Sequence, residues 1–455
     1  MIETAEKIES AGEGFSWRAA LIVLALCAAA AVFSLTFFDN PLQARATLIA
    51  GICLILWLSE IVPAYVPTFV LWTLTPLLLA PLSKNYAFAE VLKWAANPVL
   101  ILFFGGFAFG VAASRYKLDI LLAKLAVRFS RRSRLLLIIL TVGVTAFMSM
   151  WLSNIAAAAM MIAALHPLTA KLDLEDDFRR ALLIAVATAA NFGGIATPIG
   201  TGPNALAISA LEKQKHVTFA EWMSFALPLT IGLLIAGTLL IKLIYRVRGN
   251  FETEEIEVSR LSGKGKAIVA IFAVTILAWL TEPMHGVSSP IVALAASAVL
   301  FGSGLLKRRD LNAIDWGTIA LIAGGISLGN LLESAGLIEF WANRLDWSAM
   351  PLGLQVFIVC FASALLSALM SNTATVTMLI PFAAAFIPHP SIAVLIAVAA
   401  SLGIPFVIST PINAMVHGEG GVRAKDFFVV GFPLMIGGCL LLALTGFYVL
   451  SFWFN

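Results

Sequence analysis

The sequence predicts an all-α membrane protein of about eleven transmembrane helices plus two re-entrant helical hairpins, set in two inverted repeats. Three observations predict it. Of 455 residues, 60% are hydrophobic and only 12% charged, about half the charge of a soluble domain and too little to clothe a water-facing surface. Apolar runs of about 20 residues, the length that crosses a bilayer, recur from end to end. Three sequence landmarks occur twice, in the same order. No long polar stretch interrupts the chain, so residues 1–455 read as one membrane body with the lipid bilayer as its solvent.

The elements follow in order. The N-terminal MIETAEKIESAGEGFSWR is polar and acidic for too long to be a signal peptide, so the apolar run 19–37 is expected to be a retained span and 1–44 an N-terminal segment with that span. Further spans are expected at 45–63, 65–82, 97–115, 181–210 and 222–244, then at 266–282, 288–305, 316–334, 391–416 and 427–452. Two more apolar stretches, 134–170 and 352–388, carry a polar break at the centre. Lys and Arg collect on the cytoplasmic side of membrane proteins. Arg128, Arg131, Arg132 and Arg134 precede the first broken stretch, and Lys307, Arg308 and Arg309, then Arg423 and Lys425, fill later gaps. The gaps TEPMHGVSSP and IPHPS hold none. A cytoplasmic N-terminus and two hairpins that return to their side of origin put every cluster inside and the C-terminus outside. The short acidic N-terminus points to a bacterial inner membrane. Cys27, Cys53, Cys360 and Cys439 sit in apolar runs without metal spacing and read as apolar fillers.

The duplication is visible in the letters. SNIAAAAMMI (153–162) matches SNTATVTMLI (371–380), GGFAFG (105–110) matches GGISLG (324–329), and TGPNA (201–205) matches TPINA (410–414). Chance could supply one match; three in order imply a first repeat at 45–250 and a second at 251–455. Five spans fall in each half after the first span, and an odd number inverts the second copy. Inverted repeats with broken helices are typical of secondary transporters, with the site at the midplane.

Four breaks carry the chemistry: Ser153-Asn154-Ile155, GGIATPIGTGPN (193–204), Ser371-Asn372-Thr373 and GIPFVISTPIN (403–413). Irregular backbone at membrane depth survives only when buried in protein or lining a cavity. A broken helix frees carbonyls from one half and N–H groups from the other. Carbonyls with Ser and Asn oxygens suit a small hard cation such as sodium, and helix N-termini suit a carboxylate. Ser and Gly are also common at packed membrane helix interfaces. Recurrence in both halves favours function for the Ser-Asn breaks, whereas Gly105-Gly106 and Gly324-Gly325 read as packing. Glu60, Glu333 and Arg115, at span ends, read as snorkelling residues, and His166 and His417 as structural. The chain offers no His-Glu spacing, no paired intramembrane carboxylates and no ring of charge for a pore, which argues against an enzyme or a channel. Nothing points to a nucleic-acid partner.

These residues resemble the divalent anion:sodium symporter family, carriers of dicarboxylates, citrate and sulfate, over nearly the whole chain from about Ala46. Its signature is a Ser-Asn-Thr motif at the tip of each of two re-entrant hairpins, each facing an unwound helix. The resemblance implies one sodium held by Ser149, Ser153, Asn154 and the Gly200 region. It implies a second held by Ser367, the Met370 carbonyl, Asn372 and the Ser409 region. The anion would lie between the tips, touching Asn154, Asn372 and Thr373, with Thr201, Thr410 and Pro411 nearby. A homodimer and an elevator motion of the hairpins past a scaffold are implied too. Ile155 departs from the motif's Thr, and the hydrogen bond to a charged group that it forgoes is worth roughly 1.5–3 kcal/mol. Gly202 and Ile412 stand where a proline is usual. The expected function is sodium-coupled symport of a small dianion, a C4-type dicarboxylate such as succinate. Sodium-independent anion exchange and sulfate transport stay open as alternatives.

Overall fold

The computed structural model describes residues 17–212, 215–251, 261–344 and 350–454, and its regular structure there is helical apart from one isolated bridge between Ser133 and Asn250. The acidic stretch ahead of Trp17 lies outside the described residues. Local chemistry sets the helix ends. Asn40 and Asn97 cap Pro41–Ser59 and Pro98–Arg115, each accepting the N–H two residues on and each followed by proline, which has no N–H to leave unpaired there. Thr218 and Glu221 form a capping box at the start of Phe219–Ile244.

The helices fall in the expected order. Seven described segments are long and apolar enough to cross a membrane. One of them, Leu352–Leu369, is an arm of the second hairpin, so length alone does not separate a span from a hairpin arm. Other expected spans fall short for visible reasons. Val66–Leu79 and Ser289–Gly302 have 14 residues each, about 21 Å of helix. Two more are broken: Asp177–Gly193 is followed by a 3₁₀ turn and Gly202–Leu211, and Ser391–Ala400 by a 3₁₀ turn and Pro411–Gly418.

The helices form two bodies packed on each other, Trp316–Ser334 against Asn372–Phe386 and Gly202–Leu211 against Pro98–Arg115 and Trp316–Ser334. In the first, Pro98–Arg115 lies against Ser289–Gly302, and Trp316–Ser334 against Val66–Leu79. In the second, Arg134–Ser149 lies along Asp177–Gly193, and Leu352–Leu369 along Ser391–Ala400. The glycines explain the closeness. A Cβ on Gly193 would sit 2.5 Å from Ala146 O, and one on Gly403 2.5 Å from Ala364 O. The Gly-Gly pairs pack as expected, with a division of labour. Gly105 and Gly324 face Ala293 and Thr68 inside the first body. Gly106 and Gly325 face Ile199 and Thr377 of the second.

Candidate functional site

Four helices begin at one cavity of about 410 Å³: Asn154–Thr169, Gly202–Leu211, Asn372–Phe386 and Pro411–Gly418. Each N-terminus leaves backbone N–H groups without an intrahelical partner and carries roughly +0.5 of a charge. None has an acidic residue in its first turn to cancel that charge. Together they offer about +2, which matches a dianion. Every residue expected near the anion lines this cavity: Asn154 and Ile155 from the first hairpin tip, Asn372 and Thr373 from the second, and Thr201, Thr410 and Pro411 from the broken spans.

Beneath each tip lies a cluster of oxygens. Ser149 Oγ is 2.6 Å from Asn154 Oδ1 and 2.6 Å from Ala190 O. Ser367 Oγ repeats this at 2.6 Å from Asn372 Oδ1 and 2.7 Å from Ala400 O. A hydroxyl has one proton to donate, so at each tip one close oxygen pair has no proton between its members. Surplus lone pairs from neutral oxygens are what a hard cation satisfies. At the first tip a Cβ on Gly194 would lie 2.7 Å from Asn154 Oδ1 and 2.8 Å from Gly200 O, so those two oxygens face the same small space. Ser149 and Ser367 are fully buried, while Ser153, Gly200, Met370 and Ser409 reach the cavity wall. Ser153 Oγ accepts from Ala156 N at 3.2 Å, and Ser409 Oγ from Phe406 N at 3.0 Å. Met370 is extended, and that ends the arm and leaves the last-turn carbonyls without helical partners.

The asparagines of the two Thr-Pro-Asn breaks staple the unwound loops. Asn204 Nδ2 donates to Gly194 O at 3.0 Å and Thr197 O at 2.8 Å. Asn413 Nδ2 donates to Ile404 O at 3.0 Å and Phe406 O at 2.8 Å. Asn191 Nδ2 donates to Asn413 Oδ1 at 3.2 Å and so ties the two broken spans together. Sequence reasoning missed Asn191; the available signal was a lone amide in an otherwise apolar helix.

Two charged residues are corrected and a third is added. Glu60 lines the cavity instead of merely ending a span, in a left-handed C-cap with φ 49°. Asp315, not singled out from the sequence, also lines it and caps Trp316–Ser334 by accepting from Thr318 N at 2.9 Å. Arg115 is ion-paired with Asp310, both partly buried, rather than snorkelling.

Comparison with known proteins fits this geometry. A family model described as citrate transporter (CitMHS) matches residues 52–394 and 276–454. An uncharacterized transporter of Haemophilus influenzae is 29% identical, over 91% of this chain and 93% of that protein. The sodium-dependent dicarboxylate transporter SdcS of Staphylococcus aureus is 26% identical, over 87% of this chain and 83% of its own. The inorganic phosphate transporter PHO87 of Saccharomyces cerevisiae is 26% identical over 81% of this chain, which spans only 41% of that longer protein. Among solved structures, the YdaH transporter of Alcanivorax borkumensis shares the fold, with a TM-score of 0.59 at 16% identity over 90% of this chain and 99% of that one. With its motifs, its all-α architecture and a family match over most of its length, the chain belongs to the citrate transporter (CitMHS) family and is a multi-pass membrane transporter, not an enzyme.

Proposed function

We propose that the chain is a sodium-coupled symporter of a small dianion, a C4-type dicarboxylate such as succinate. The observation that carries this reading is one cavity on which four helix N-termini converge, with an oxygen cluster under each hairpin tip. An anion at the N-termini and sodium at the oxygens neutralise each other, so binding of one strengthens binding of the other. Asn154 and Asn372 serve both: each turns Oδ1 toward the oxygen cluster, which directs its amide N–H groups elsewhere. SdcS, a sodium-dependent dicarboxylate transporter by name, supports the same coupling.

In this reading the halves 45–250 and 251–455 are inverted copies. Their hairpins re-enter an inner membrane from opposite sides, with the N-terminus cytoplasmic and the C-terminus outside. The body bearing the hairpins moves as an elevator against the other within a homodimer. The cavity, walled by Glu60 and Asp315 at cytoplasmic helix ends, then faces inward. Transport of a compact inorganic dianion is the second reading. It is favoured by the phosphate transporter PHO87 among the relatives.

Uptake of labelled succinate into sealed proteoliposomes tests the first reading, with an inward sodium gradient against potassium. Sodium-driven accumulation, abolished by Asn154→Ala or Asn372→Ala, is expected. Uptake only into vesicles preloaded with dicarboxylate would make the protein an exchanger, and movement of phosphate or sulfate alone would favour the second reading.

A further inference from the structure

The two ends of the cavity are not alike, although the repeats would make them so. At one end the second hairpin tip meets the first broken span, since Asn372–Phe386 packs on Gly202–Leu211. There Thr373 is only 8% exposed, and a Cβ on Gly202 would lie 2.5 Å from its Oγ1. The missing side chain at Gly202 lets the hydroxyl settle beside a helix N-terminus. This end is polar and closely fitted.

At the other end Pro411–Gly418 packs on Asn154–Thr169. The repeat puts Ile155 where the first end has Thr373, and Pro411 where it has Gly202. Ile155 is 47% exposed and lines the cavity. Ile408 lines it too and is 75% exposed, whereas its repeat partner Ile199 is 5% exposed against Gly106. Phe107 completes this side, bordering both the cavity and the adjoining space along the first hairpin. Two isoleucines and an aromatic ring on the cavity wall offer apolar surface, a source of binding energy for an apolar group.

Resting on the proposed anion transport, we infer that the preferred substrate is an amphipathic dicarboxylate, with its carboxylates at the helix N-termini and an apolar substituent against Ile155 and Ile408. Ile155 is then a specificity-determining residue. An unsubstituted dianion leaves the apolar wall wet. Each methylene placed on that wall contributes about a fourfold gain in affinity, so two give a gain of the order of tenfold.

The test is thermal stabilisation of the purified full-length protein in sodium and in potassium, titrated with succinate, propylsuccinate, phenylsuccinate and inorganic phosphate. The substituted succinates are expected to bind about tenfold tighter than succinate in sodium, and Ile155→Thr should erase that preference while strengthening succinate. Succinate or phosphate binding as tightly as phenylsuccinate would overturn the inference and leave anion symport standing. An Ile155→Thr protein that keeps the preference would overturn the role of Ile155. If no anion stabilises the protein in either salt, the inference falls together with the proposed function.

Discussion

At Gly202 the backbone lies so close to Thr373 Oγ1 that any side chain would push the second hairpin tip away. Gly202→Ala is therefore expected to cost about 1–3 kcal/mol of stability by overpacking. It should raise the KM for the anion, because Thr373 stands on the anion cavity's wall. Kinetics at saturating sodium, with thermal unfolding alongside, would check both. Glu60 makes the opposite prediction: its carboxylate opposes the positive field of four helix N-termini, so Glu60→Gln should lower the KM for a dianion, most clearly at low salt. The Ser-Asn pairs were legible because they recur in register and because hydroxyl and amide oxygens are conspicuous in apolar runs. Glu60 was not, since a carboxylate at a span end looks the same whether it snorkels or faces a cavity. Only the folded cavity, which brings Glu60 to the same wall as Asn154 and Asn372, decides between the two.

Two segments show how elements are held. The unwound loop 403–410 is fastened by Asn413, whose amide donates to Ile404 O and Phe406 O and accepts from Asn191. Asn413→Ala leaves those buried carbonyls and Asn191 short of partners. A loss of about 1–3 kcal/mol per unsatisfied group should appear as a lowered melting temperature, with transport lost as the loop relaxes. The motif marked the Thr-Pro-Asn break without giving Asn413 a role; its Asn191 partner is 222 residues away, a separation that no local pattern reveals. The second segment follows Gly202–Leu211. His216 lies 3.1 Å from Glu282 through Nε2 and 3.1 Å from Glu212 through Nδ1, with Lys215 and Glu221 paired nearby at 3.8 Å. The bond to Glu282, with that to Glu212, raises its pKa above the ordinary 6.5 despite some desolvation. A raised folded value means the contribution is fully present below 6.5 and is lost as pH rises through the folded value. Melting curves across that window should fall with pH in the wild type and stay flatter in His216→Gln.

Over the whole molecule, the repeat made the architecture readable from the sequence. Landmarks in the same order twice gave the hairpins, the broken spans and the order of helices. The relation between the two bodies was not readable, because it rests on packing between helices far apart in the chain, such as Pro98–Arg115 and Trp316–Ser334 on Gly202–Leu211, with close approaches of Gly106 to Ile199 and Gly325 to Thr377. The Gly-Gly motif showed only that something packs closely, not that each glycine serves a different body. The unequal ends of the cavity were half visible: Ile155 was evident as a departure from the motif, but the exposure of Ile408 follows only from the way the second loop turns. In the proposed symport, two equivalent oxygen clusters each hold a sodium ion beside one anion. Equilibrium binding of radiolabelled sodium to the purified protein, with and without succinate, tests it most directly. The expected result is two sodium ions per chain, bound more tightly with succinate present, with Ser149→Ala and Ser367→Ala each removing one. Sodium binding unchanged by both substitutions, or indifferent to the anion, would contradict it.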